Sequence, residues 1–157
     1  MSYVDRWFVN DHRSQYGLGR SAITRTSGCT WTAVSNGADA ASAGRVDYTP
    51  DEVHAELARH EETNPETPGW SIPDAVEAAK RMAAPLEDRS GTGWLALERD
   101  HDDGYELIVQ GDSDRFGNAT CSGAFDGDHA IAVHPMTKVV SGVEFWWIND
   151  PICPTGR

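Results

Sequence analysis

Three side chains in this chain are of the types that perform nucleophilic catalysis: Cys29, His129 and Asp150. A thiol attacks a carbonyl well only as thiolate, and an ordinary cysteine with a pKa of ~8.5 is mostly protonated at neutral pH. The positive end of a helix dipole and a neighbouring imidazolium both correct that. Cys29 follows Ser27-Gly28 at the start of a helical pattern, where the dipole acts; Gly28 also lets the chain turn tightly and leaves the sulfur uncovered. His129 opens the apolar run HAIAVH. A carboxylate at Asp150, after WWIN and before Pro151, can accept the second ring proton of His129, fixing its tautomer and stabilising the imidazolium. Asn149 can orient the ring instead, but in a regular strand it points to the opposite face, which favours Asp150. Each residue alone has a plainer explanation. A lone cysteine is most often a buried apolar side chain, a strand-end histidine is commonly solvated, and Asn-Asp-Pro makes a good strand-ending turn. His134, next to Pro135, fits the solvated description better than His129 does. Agreement in order and placement is what gives the three their weight.

The elements that must position them follow from the hydrophobic pattern. The chain divides into a helical first half and a strand-rich second half, which predicts an α+β fold with N-terminal helices packed on a C-terminal antiparallel sheet. Residues 1–28, rich in Gly, Ser, Thr and Arg, read as mostly loop. SGCTWTAVSNGADAASAG reads as a helix with Cys29, Ala33, Gly37 and Ala40 on one small-residue face and Gly44 as its C-terminal cap; Asn36-Gly37 in its middle is also a turn signal. In YTPDEVHAELARHEET, Thr49 and Glu52 form a capping box, Pro50 fits the first turn, and Val53 and Leu57 supply a buried stripe. A third helix runs from Ser71 or the Ile72-Pro73 step to Pro85. From Trp94 onward WLALE, YELIVQ, HAIAVH and VEFWWI read as short strands. PMTKVVSG joins the last two as a hairpin connection with Ser141-Gly142 in or near the turn. A pairing centred between Val139 and Val140 sets His129 directly opposite Asp150, hence on the same face.

The order of Cys on a helix N-terminus, His opening a strand and Asp or Asn closing the next is the papain-fold arrangement. The chain resembles in particular the bacteriocin-leader-peptidase-like branch of that clan, through Gln15, SGCTWTAVSNGA around Cys29, GDHAIAVH around His129 and WINDP ending the hairpin. The resemblance covers roughly Gln15 to Pro151. It implies a papain-like fold and a Cys29–His129–Asp150 triad cleaving a peptide or amide bond through an acyl-thioester. It also implies that Gln15, beside the Cys29 backbone N–H, is the oxyanion-hole side chain. Two departures bear on that oxyanion hole: Thr30 stands where the family usually has Gly, and Gln15 sits further upstream of Cys29 than in the leader peptidases. VQGDSDRFGN and INDPIC also resemble segments of papain-like proteins encoded by phages of actinobacteria.

Bulk properties narrow the partners. The 157 residues suit one domain, 1–157, without internal repeat or low-complexity linker. A net charge of −12 with no basic run disfavours nucleic acid and anionic membranes. No apolar stretch approaches the ~20 residues of a membrane span, and MSYVDRWFVNDHRSQYG lacks the apolar core of a secretory signal. The expectation is a protein that stays in the cytosol or leaves by lysis or in a particle such as a virion. Cys121 and Cys153 are free to pair or not, with Cys29 then the free thiol. Asp112, Asp114, Asp126 and Asp128 fail the calcium-loop template, and Cys121, Cys153 and a His lack zinc spacing, so no metal or other cofactor is expected. Trp94, Trp146 and Trp147 are most simply packing residues, whereas Trp31 and Trp70 are candidates to line a substrate groove. Two function classes follow. One is an active hydrolase, acting on cell-wall peptide or on a protein substrate, with an acyltransferase as a variant of the same triad. The other is a catalytically weak or inactive papain-fold module serving as a structural or binding component of a larger assembly, such as a phage virion.

Overall fold

The computed structural model describes residues 7–9, 28–61, 72–82, 86–89, 91–112 and 128–151. In chain order these form β1 (Trp7–Val9), α1 (Cys29–Ala41), α2 (Pro50–Glu61), α3 (Ile72–Arg81), α4 (Trp94–Asp102), β2 (Leu107–Asp112), β3 (Asp128–Val140) and β4 (Val143–Asn149). The fold is α+β. The sheet order is β1-β4-β3-β2, with β2, β3 and β4 antiparallel and β1 joined parallel to β4 at the far edge. β1 falls inside the stretch expected to be mostly loop; residues 7–9 are the part of 1–27 that the structure describes. Among the described residues no helix is long and apolar enough to cross a membrane.

Local chemistry explains the helix boundaries. α1 ends in a Schellman motif: Ser42 is the cap, Ala43 at φ 53° takes the left-handed position usually left to glycine with its N–H donating to the Ala40 carbonyl at 3.0 Å, and the expected cap Gly44 follows it, its N–H donating to the Asp39 carbonyl at 2.8 Å. At α2 the capping box is closed in both directions. The Thr49 N–H donates to Glu52 Oε2 at 2.7 Å, and the Glu52 N–H donates to Thr49 Oγ1 at 3.3 Å. Val53 is fully buried below it, while the Leu57 side chain lies outside the described residues. Asn36-Gly37 is not a turn. Both residues continue α1, and a Cβ at Gly37 would stand 2.7 Å from Ile108 Cδ1 on β2. The glycine marks the closest approach of helix and sheet rather than a break.

Trp94–Asp102 is a helix, not the expected strand. A short apolar run is ambiguous between the two periods. Here Trp94, Leu97 and His101 recur at helical spacing and turn toward the sheet, leaving Leu95 79% exposed. Trp94 stacks on Trp146 with centroids 5.6 Å apart, and the buried His101 stacks on the same ring at 4.0 Å.

The hairpin is longer and tighter than expected. β3 continues to Val140, and Ser141 and Gly142 (φ 52° and 78°) form the connection to Val143, the mirror-image turn that matches strand twist. Between His134 and Thr137 the register shifts, because Pro135 and Met136 are extra residues on β3. A bulge is where a proline, lacking its N–H, is tolerated in a ladder.

The sheet is covered on both sides. Ile131, Val133, Trp146 and Ile148 pack with Leu107 and Val109 and receive Trp94 and Leu97 of α4. On the other face Ile108 meets the cluster of Trp31, Val34, Val53, Ala78 and Met82 from α1, α3 and their neighbours. Ala130 and Ala132, fully buried on that side, leave room for α1 to lie close. The first half of β3 is thereby enclosed, with residues 129 to 134 all buried.

Candidate active site

Cys29 is the first residue of α1. Gly28 precedes it without a side-chain cap, the Thr32 N–H closes the first helical bond to the Gly28 carbonyl at 3.0 Å, and no acidic residue stands in the first turn. The first backbone N–H groups of a helix have no intrahelical acceptor, so the sulfur sits where unopposed positive partial charge collects. Cys29 is half-buried, not sealed.

His129 opens β3 and is 1% exposed; Asp150, just past β4, is 2% exposed. The ring Nε2–H donates to Asp150 Oδ1 at 2.8 Å. They meet, but not by the register expected. The ladder pairs Ala132 with Asn149 and Val133 with Ile148, which places Asp150 beside Ile131 on extension and His129 two residues further along. The bulge adds an even number of residues, so His129 keeps the face of Asp150 and reaches it diagonally. Asn149, opposite Ala132, points to the other face of the sheet.

With Nε2 committed to the carboxylate, Nδ1 is the nitrogen left for Cys29. Burial pushes the Cys29 thiol up. The hydrogen bond and charge of His129 outweigh this, with smaller help from the Ala130 N–H and the Thr30 side chain, and the thiol ends below its ordinary value. For His129, burial alone pulls the ring down. The hydrogen bond to Asp150, the hydrogen bond to Cys29 and the charges of both override it and push the ring up to about 9. Opposite shifts on two neighbouring groups are the signature of a thiolate–imidazolium pair. Such an arrangement supplies a nucleophile, a group that can return a proton to a leaving atom, and a buried carboxylate that holds the ring between them.

The other expected site residues fall elsewhere. Trp31 is fully buried among α1–α3 and stacks on His54 at 4.6 Å. It is a core residue rather than a groove wall, because its helical position turns it inward onto Val34 and Val53. Core truncations of this kind cost about 3–5 kcal/mol. Gln15, Trp70, Cys121 and Cys153 lie outside the described residues, as do Asp114 and Asp126. Among the described residues no group of His, Cys, Asp and Glu is arranged to hold a metal ion.

Two features escaped sequence reasoning. The Ala130 N–H and the Thr30 side chain both help to pull the thiol down; being neighbours in sequence of His129 and Cys29, they follow once those two meet. His134 is not solvated. It is 3% exposed, and its Nδ1–H donates to Glu106 Oε2 at 2.6 Å. The Leu107–Val133 pairing, extended by one, puts Glu106 opposite His134, a signal available only with the register in hand.

No protein-family model, no curated protein and no solved structure matches this chain.

Proposed function

We propose that this chain is a papain-like cysteine hydrolase that cleaves a peptide or amide bond through Cys29, His129 and Asp150. The observation that carries the reading is the pair of neighbours at one histidine: Nε2 on a buried carboxylate, and beside the ring a thiol at a helix N-terminus, close enough that each shifts the other's pKa. The order of the three residues along α1, β3 and the end of β4, and the bacteriocin-leader-peptidase-like resemblance, support it further. The thiolate attacks the carbonyl carbon, forming a carbon–sulfur bond. The Cys29 N–H, at the helix start, and Gln15 are the donors assigned to the oxyanion; one such donor is typically worth ~3–4 kcal/mol. His129 passes its proton to the leaving amine as the carbon–nitrogen bond breaks. Water, deprotonated by His129, then attacks the acyl carbon; the carbon–sulfur bond breaks, the acid leaves and the thiolate–imidazolium pair is restored.

Iodoacetamide at pH 6 tests the reading. Cys29 is expected to react about tenfold or more faster than a free cysteine, since its larger thiolate fraction outweighs its lower intrinsic nucleophilicity. Cys29→Ala should abolish the fast phase and His129→Ala should slow it. Labelling at the generic rate, indifferent to His129, overturns the hydrolase and leaves the papain-fold module of a larger assembly.

A further inference from the structure

We draw no further inference here: the strongest candidate, the exposed apolar tip of the β3–β4 hairpin around Met136, Val139 and Val140, carries nothing because nothing among the described residues shows what covers it.

Discussion

β3 carries two buried histidines five positions apart, and each holds a carboxylate. His129 gives its Nε2–H to Asp150 at 2.8 Å, and His134 gives its Nδ1–H to Glu106 at 2.6 Å. An odd separation along a strand sends them to opposite faces. His129 lies where β3 begins, beside the first turn of α1. His134 lies at the bulge, midway along a strand flanked on both sides, and its partner comes from the residue preceding β2. By distance and burial the two pairs look alike. They differ in what the second ring nitrogen can do. At His129 it sits beside a thiol that has been pulled down while the ring is pushed up; at His134 the ring is held by Glu106, with no cysteine among the described residues beside it. A carboxylate orients an imidazole in both places, and acid–base chemistry needs the third group.

The largest break in that symmetry is in rate. His129→Ala is expected to lower hydrolysis by about 10²–10⁴-fold, the usual contribution of a positioned acid–base group, and to slow Cys29 alkylation at pH 6. His134→Ala should leave both within about twofold. Equal losses from the two substitutions, in proteins shown to be folded by circular dichroism, would mean that the histidines act through the fold and not through the sulfur.

The second effect is on the ring itself. The Asp150 hydrogen bond is the largest of the influences holding His129 up at about 9. In Asp150→Asn the His129 midpoint, followed by the NMR signals of its ring, should fall toward the ordinary value of 6.5, because the imidazolium loses a full negative charge as acceptor. Glu106→Gln, the matching change at the other pair, should leave that midpoint where it is. A midpoint that stays near 9 without Asp150 would assign the shift to Cys29 and reduce the carboxylate to packing.

How much of this was legible in the sequence depended on how local the information is. The Thr49–Glu52 box and the end of α1 close within a few residues; the box stood as read, and the helix capped at Ser42, two residues before Gly44, with Ala43 in the left-handed position. The shared face of His129 and Asp150 survived a wrong register because parity is robust: the Pro135-Met136 bulge displaced the ladder without turning the strand over. What failed was non-local. Whether WLALE is strand or helix was decided by Trp146, which offers Trp94 and His101 a flat ring to stack on from a helix. Trp31 is a groove candidate by its closeness to Cys29, yet two residues along a helix diverge by about 200°, so a half-buried Cys29 leaves Trp31 pointing into the core. Glu106 carried no motif at all; only the β2–β3 register reveals its partner.

The smallest expected effect concerns stability and isolates the thiol–imidazole coupling. His129, raised to about 9 from 6.5, contributes stability fully below pH 6.5 and loses it as pH rises through about 9. Cys29, lowered from 9.0, behaves oppositely, contributing above about 9 and losing it as pH falls through its native value. Above both 6.5 and the native value of Cys29, and up to about 9, the native pair and the unfolded pair therefore hold the same number of protons, one on the imidazolium in the first and one on the thiol in the second, and in that range their joint slope is zero. Removing the sulfur uncovers the histidine. Urea unfolding of wild type and Cys29→Ala at several pH values across that window should show the stability of Cys29→Ala falling relative to wild type as pH rises, by at most about 1.4 kcal/mol per pH unit for a single proton. His134→Ala, which leaves the coupled pair intact, should run parallel to wild type. If Cys29→Ala runs parallel as well, the proton is not shared between Cys29 and His129, and the two histidines of β3 are structural residues of the same kind.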